Sequence, residues 1–372
     1  MGTFEVISQH GDHEEVVYCH DASVGLKAII AIHNTALGPA LGGTRMWNYK
    51  SEDEALIDVL RLSKGMTYKA SAAGLNLGGG KAVIIGDPKT QKSEGLFRAF
   101  GQFINGLNGR YITAEDVGTC VTDMEYVFME TPWVTGIPKD FGGSGDPSPY
   151  TAHGVLMGIK ASAQEQFKTD SLKGMRIVVQ GLGNVGSNLV RYLVQEGAQV
   201  ILSDIDQVKV KQMCDQYAGV KSVAPDQILF QECEILAPCA MGAIINDQSI
   251  TKLKTKVVCG GANNQLAEHR HGDQLREMGI LYAPDFVVNA GGLMNVFVEL
   301  EGYSSDRAFE KTRKVYDNVS KVYQISRRDN VGTHTAANRM AEERMHTLGR
   351  LKQRHTGMSQ RQFTTLKEVF NR

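Results

Sequence analysis

The sequence has no long apolar run, no paired cysteines and almost no net charge. No stretch of its 372 residues approaches the roughly 18 consecutive apolar positions that a membrane helix needs. A formal net charge of -1 leaves no field with which to hold nucleic acid or an anionic membrane. Six cysteines, at 19, 120, 214, 233, 239 and 259, include no CxxC pair. That spacing excludes a zinc knuckle and a disulfide framework, and no metal is expected. Met1–Asp12 is polar and lacks the apolar core of a signal peptide. A reducing cytoplasm is the expected location, and a small molecule the expected partner. Internal repeats and low-complexity segments are absent too.

What the sequence has in excess is glycine, 40 of 372 residues, about 11% against a usual ~7%. The glycines cluster at 38–43, 74–80, 181–186, 260–261 and 291–292. Such clusters mark places where the backbone turns sharply or lies close to something else.

The length predicts two domains. In the first, Val16–Cys19, Leu26–Ile32, Ala82–Ile85 and Tyr111–Thr113 read as strands. Ser51-x-x-Glu54 reads as a capping box opening a helix with Ala55, Leu56, Val59 and Leu60 on one side. A second helix carries Leu96, Phe97, Phe100 and Ile104. The sheet order of this α/β domain stays open. Gly142–Pro149 (GGSGDPSP) reads as a linker, followed by a helix over Thr151–Phe167. From Met175 the rhythm is strand, glycine turn, helix, strand, which predicts parallel strands with right-handed crossovers. Further strands fall at Ile235–Ala237, Lys256–Cys259 and Ile280–Tyr282, and a helix carries Ala308, Thr312, Val315, Tyr316, Val319 and Val322 on one stripe. The expected division is 1–147 for a catalytic and oligomerisation domain, 148–330 for a doubly wound Rossmann domain, and 331–372 for a C-terminal helix and basic tail, with the helices from about 330 packing back on the first domain.

Gly181-Leu182-Gly183-Asn184-Val185-Gly186 fits GxGxxG. The pattern alone is weak, but here it follows a strand, opens a helix and is answered by Asp204 at the end of the next strand. That context predicts a dinucleotide, its pyrophosphate on the helix N-terminus and its ribose hydroxyls on Asp204. Asp204 and Asp206 would repel a 2′-phosphate and no arginine stands near, so NAD is expected over NADP.

Lys69 and Lys81 lie among small and apolar residues in GMTYKASAAGLNLGGGK, which predicts that both are withdrawn from water. Burial beside a second cation lowers a lysine's pKa and makes it usable as a neutral base. Surface lysines beside a flexible loop are the competing reading. Glu115-Asp116 ends an apolar strand, and only one of the two carboxylates can face a pocket.

With these segments together, the sequence resembles the glutamate, leucine, phenylalanine and valine dehydrogenase family, most nearly its leucine-acting branch. The resemblance runs from about Gly25 to Glu343 on LGPALGGTRM, GMTYKASAAGLNLGGGK, GRYITAEDVG, QGLGNVG, GGANNQL and NAGG. It implies that Lys69 anchors the substrate carboxylate, Lys81 activates water and Asp116, rather than Glu115, relays protons. Leu41, Gly42, Met66, Ala114, Leu293 and Val296 are implied at the side-chain pocket. Ala240, Asn263, Asn264 and Asn289 are implied at the cofactor. Glutamate-acting members carry a lysine and a serine where this sequence has Leu41 and Val296; burying a carboxylate there would cost several kcal/mol, which excludes glutamate. Leu293 departs from the valine usual at its position.

The implied function is reversible, NAD-dependent oxidative deamination of leucine, with valine and isoleucine, to the 2-oxo acid and ammonia. Phenylalanine or valine dehydrogenase is the alternative, and a homo-oligomer, up to an octamer, is implied. A hydroxy-acid dehydrogenase would need a histidine with an arginine in the catalytic loops, and His33, His153, His269 and His271 show no such arrangement. A non-catalytic NAD-binding protein would have no use for Lys69, Lys81 and Asp116 together.

Overall fold

Period-two alternation builds the first sheet and sorts its residues onto two faces. The computed structural model describes residues 2–354. Its first elements are α1 (Thr3–His10), β1 (Glu15–Asp21), β2 (Leu26–Asn34), β3 (Ala40–Leu41), β4 (Thr44–Trp47), α2 (Glu52–Ala72), β5 (Gly78–Ile85), α3 (Glu94–Gly106), β6 (Tyr111–Ile112) and α4 (Val121–Phe128). The strands form a mixed sheet in the order β1-β2-β5-β3-β6, with β4 also paired to β5. β1, β2 and β5 run antiparallel in turn, whereas β3 and β4 lie parallel to β5.

Ile30 and Ile32 of β2 and Ala82 and Ile84 of β5 pack with Phe97, Phe100 and Ile104 of α3. The alternate residues, Ile29, Ala31 and Val83, pack with Leu56, Val59 and Leu60 of α2. Lys81 shares the parity of Val83, so the register assigns its side chain to the α2 face.

Strand β5 begins four residues before the expected Ala82, because Gly78–Gly80 are themselves strand. A Cβ on Gly79 would run into the backbone nitrogen of Thr67, so glycine here lets helix and sheet approach closely. Helix α2 is capped by Ser51, whose hydroxyl accepts from the Glu54 N–H at 3.1 Å. The Glu54 carboxylate accepts from the Lys50 N–H instead of that of Ser51, so half of the expected box forms.

The chain continues as α5 (Ser148–Phe167), β7 (Arg176–Gln180), α6 (Asn184–Gln195), β8 (Gln199–Ser203), α7 (Gln207–Gln216), β9 (Lys221–Ser222), β10 (Ile235–Pro238), β11 (Val257–Val258), α8 (His269–Glu277), β12 (Leu281–Tyr282) and α9 (Asp285–Val288). It ends in α10 (Gly291–Leu300), α11 (Ser305–Asp329) and α12 (Thr333–Arg354). The second sheet runs β12-β11-β10-β7-β8-β9 with every pairing parallel, the doubly wound order. On α11 the stripe Ala308, Thr312, Val315, Val319 and Val322 is buried, with Tyr316 half-buried.

The chain divides into two units. One holds residues 1–146, 296–305 and 341–372, the other 147–295 and 306–340. The first break falls inside the glycine- and proline-rich segment. The final return comes at Ala341, not near 330, and residues 296–305 make an earlier one. Side chains hold the last return: Ser71 donates to the Ala341 carbonyl at 2.7 Å, Tyr68 to the Glu342 carboxylate at 2.8 Å, and Arg344 to the Leu75 carbonyl at 2.7 Å. The basic tail past 354 lies outside the described residues. Among the described residues, no helix is long and apolar enough to cross a membrane.

Two glycines, one in β5 and one in α2, should behave oppositely. Gly79→Ala should lower stability by ~2 kcal/mol or more, through the Thr67 clash. Gly65→Ala, in α2 with open space around its Cβ, should raise it by about 0.5–1 kcal/mol. Thermal and urea denaturation of the two variants checks both signs.

Candidate active site

Strand register delivers Lys81 to the interior of the first unit, where only 5% of the residue is exposed. Its ammonium meets the carboxylate of Asp116, in the loop after β6. That loop is tied to Thr44: Thr44 N donates to the Ala114 carbonyl at 2.8 Å, and Thr119 Oγ1 donates to the Thr44 carbonyl at 2.9 Å. A Cβ on Gly43 would meet the Glu115 carbonyl and lie 3.0 Å from Asp116 Cβ, so a glycine there lets the acid come close.

Arg45 follows on β4. Its guanidinium donates to Asp58 at 2.9 Å and lies 3.6 Å from Asp116. Asp58, on α2, also accepts from Tyr49 at 2.8 Å and Arg61 at 2.8 Å. Burial works against the charge of Asp58, but the bonds from Arg61, Tyr49 and Arg45 hold its carboxyl below the usual range.

Burial likewise pulls the Lys81 pKa down, with the Arg45 guanidinium and the Lys69 ammonium adding to the fall and Asp58 opposing it, to about 7. The contact with Asp116 works the other way, as any carboxylate beside an ammonium does. A neutral amine is therefore within reach near neutral pH.

Lys69 sits on the last turn of α2 and is half-buried. It is withdrawn from water less completely than Lys81, since the end of a helix leaves a long side chain a path to solvent. Leu41 and Ala114 are buried, Met66 is half-buried, and a Cβ on Gly42 would lie 3.3 Å from Met66 Cγ. Val296, on α10, is buried within this unit, whereas Leu293, also buried, belongs to the second. Glu115 is half-buried, and burial followed by the charges of Asp146 and Asp123 raises its pKa. Arg45 and Asp58 escaped the sequence reading. An arginine directly after Gly42-Gly43-Thr44 in an otherwise apolar strand was the signal available for the first.

In the second unit, Gly181 ends β7 with φ +95°, a left-handed conformation that favours glycine. A Cβ there would lie 2.7 Å from that of Ala240, which follows β10. The turn thus stands where strand order reverses, the usual place for a ligand in such sheets. A Cβ on Gly186 would strike the Gly181 carbonyl, but one on Gly183 would meet nothing within 4 Å. Gly183 is the N-cap of α6 and brings no capping side chain, so the N–H groups of Asn184 and Val185 begin the helix uncapped. Asp204 accepts from Leu182 N at 2.5 Å and Asp206 N at 2.8 Å. Burial raises its pKa, yet these backbone bonds and the Lys209 charge bring it below the usual carboxylate range.

Asn263 and Asn264 are exposed, and Asn264 adopts φ +51°. Asn289 is buried; its amide donates to Asn263 Oδ1 at 2.7 Å while its own Oδ1 has no partner. An open floor, an uncapped helix start and an orphaned buried amide oxygen fit a dinucleotide with a carboxamide at one end.

The four histidines weighed above have structural partners. His33 bonds Thr67 at 2.8 Å, His153 bonds Thr312 at 2.6 Å, His269 stacks on His334, and His271 bonds Asp247 at 3.2 Å. Asp247 and Glu268 lie beside His271, but both carboxylates are paired with Arg270, at 2.7 and 2.9 Å.

Two family models cover most of the chain. That described as "Glu/Leu/Phe/Val dehydrogenase, dimerisation domain" matches residues 13–133. That described as "Glutamate/Leucine/Phenylalanine/Valine dehydrogenase" matches 142–208 and 202–351. The chain belongs to the Glu/Leu/Phe/Val dehydrogenase family. Within the Glu/Leu/Phe/Val dehydrogenases it is 59% identical to a leucine dehydrogenase of Geobacillus stearothermophilus over 91% of this chain and 92% of that one. It is 50% identical to a phenylalanine dehydrogenase of Caldalkalibacillus thermarum, over 94% and 95%. The solved L-tryptophan dehydrogenase from Nostoc punctiforme superposes with a TM-score of 0.83 at 42% identity, covering 93% of this chain and 99% of that one. A Glu/Leu/Phe/Val dehydrogenase uses a nicotinamide cofactor, which the second unit fits.

Gly183→Ala and Gly186→Ala should fail in different ways. The first should keep the parent melting temperature but bind the dinucleotide roughly tenfold or more weakly, by NADH fluorescence titration. The second should lower the melting temperature, because its methyl meets the Gly181 carbonyl.

Proposed function

We propose that this chain is an NAD-dependent leucine dehydrogenase, interconverting L-leucine, and also valine and isoleucine, with the branched 2-oxo acid and ammonia. The observation that carries the reading is a buried lysine amine, Lys81, in contact with the Asp116 carboxylate and under the charge of Lys69. Identities of 55–59% to leucine dehydrogenases over more than nine-tenths of the chain support it.

In this reading Gly181–Gly186, Asp204, Ala240, Asn263, Asn264 and Asn289 hold the dinucleotide, which supplies the hydride acceptor. Lys69 binds the substrate carboxylate as a point charge. Lys81, neutral, takes a proton from water as the oxygen attacks the substrate iminium carbon. Asp116 Oδ2, beside Lys81 Nζ, relays that proton from the lysine to the amino nitrogen, and Lys81, neutral again, takes the hydroxyl proton as the C–N bond breaks and ammonia leaves. The overall change consumes one water and one oxidised dinucleotide and yields the 2-oxo acid, ammonia, the reduced dinucleotide and a proton.

Leu41, Ala114, Leu293 and Val296 offer no charge to a substrate side chain, which favours an aliphatic one. One methylene changes binding by about 1–3 kcal/mol, so leucine, isoleucine and valine should all react. The ionised Asp204 favours NAD, since a 2′-phosphate would lie beside a carboxylate; nearby Lys209 is 3.8 Å from the second acid, Asp206. Six free thiols support a reducing, cytoplasmic setting. Exposed Tyr18, Trp47, Ile57 and Val117 in the first unit support a homo-oligomer, read here as an octamer.

Three measurements test this. NADH formation should be fastest with leucine, slower with phenylalanine and negligible with lactate or glutamate; a preference for phenylalanine overturns the substrate assignment. Lys81→Ala should retain dinucleotide binding and lose roughly 10²–10⁴-fold in kcat. The base acts unprotonated, so kcat/KM for leucine should rise with pH through about 7 and level off above it.

A further inference from the structure

The Lys81–Asp116 pair stands inside a larger array of charge. Lys81 comes from β5, Asp116 from the loop after β6, Arg45 from β4, and Lys69 and Asp58 from α2. These are the charged groups that act on the Lys81 amine. Arg45 is the link in the array. One nitrogen, Nη1, donates to Asp58 at 2.9 Å, while Nη2 reaches toward Asp116 Oδ1 at 3.6 Å. Oδ2 of the same Asp116 meets Lys81. Asp116 is thus divided between two cations, and Arg45 between two anions.

The division is unequal. Arg45 is drawn to Asp58 by the shorter contact, and Asp58 is fixed in turn by Tyr49 and Arg61. Behind the guanidinium lies a recess of about 420 Å³ lined in part by Tyr49, Asp58, Arg61 and Val117.

We propose that Arg45 is a positioning residue for the reaction: tethered by Asp58, it holds one oxygen of Asp116 and limits how fully that carboxylate can neutralise Lys81. Asp116 Oδ1 also accepts from the Val117 N–H at 2.5 Å, so without Arg45 the carboxylate stays in place but is left with Lys81 as its cationic partner, and a nearby positive charge is lost as well. Both changes favour the ammonium over the amine. Without the Asp58 charge, Arg45 is released toward Asp116 and the amine is favoured instead. The two substitutions act on one lysine in opposite directions, which a merely structural role would not produce.

This inference rests on the reading of Lys81 as the base, and the test separates the two. The pH dependence of kcat/KM for leucine is measured for the parent, Arg45→Met, Arg45→Lys and Asp58→Asn. In parallel, Lys81 acylation by acetic anhydride is followed against pH by mass spectrometry, which needs no turnover. Arg45→Met should move the acid limb and the labelling midpoint up by about one pH unit. Asp58→Asn should move both down, and Arg45→Lys should stay near the parent. If Arg45→Met does not fold, Asp58→Asn decides alone. Midpoints that stay fixed, or that move the same way in Arg45→Met and Asp58→Asn, overturn the role of Arg45. A parent that oxidises no leucine while its labelling midpoints shift as described overturns the function and leaves the positioning role standing.

Discussion

Taking a lysine amine out of water is costly, and the first unit is arranged around meeting that cost at Lys81. An isolated buried ammonium loses several kcal/mol of hydration, so the group either finds an anion or gives up its proton. Here both options stay open. Asp116 touches the amine, while Arg45 and Lys69 press the equilibrium toward its neutral form. A fully paired lysine would be inert as a base, and an unpaired one would have no proton partner. The chemistry depends on holding the amine between those limits, with Lys81, Arg45, Lys69 and Asp58 on strands and a helix and Asp116 in a loop tied to Thr44.

Backbone sterics make that placement possible. Lys81 follows three glycines on β5, and α2 lies so close to that strand that any side chain at Gly79 would collide with Thr67. Gly43 plays the corresponding part for Asp116, admitting the loop after β6 to the neighbourhood of β4. The same economy recurs in the second unit, where Gly186 lets α6 rest on the turn at Gly181. Glycine serves here as thin backbone more than as flexible backbone, which is why so many of the residues lie inside regular elements.

Much of this was legible in the sequence, and the failures have physical reasons. A short continuous apolar run marked β2, because Ile29–Ile32 face two different helices and are apolar on both sides. The parallel second sheet followed from strand–helix rhythm, and the glycine turn from its position between β7 and α6. The start of β5 was missed because Gly78–Gly80 have low intrinsic strand preference; pairing with β2 and β3 overrides it. Lys81 and Asp116 are 35 residues apart, and their meeting is a matter of sheet order, which local pattern does not contain. Arg45 shows the same limit more sharply. Its neighbours Thr44 and Met46 are buried in the sheet, and nothing in their spacing announces that the residue between them bridges two acids.

The first unit closes only when Ala341–Arg344 of α12 lies against the end of α2, where Ser71, Tyr68 and Leu75 receive it. Residues 1–146 precede the whole second unit, and 296–305 fall between its two segments. During synthesis on the ribosome, a nearly complete mixed sheet must therefore wait, with the helix that bears Lys69 uncovered at one end, while about two hundred further residues emerge and fold. The unit that comes first in sequence is the last to be finished, and a nascent chain arrested before α12 carries every residue assigned to catalysis yet an open seam beside them.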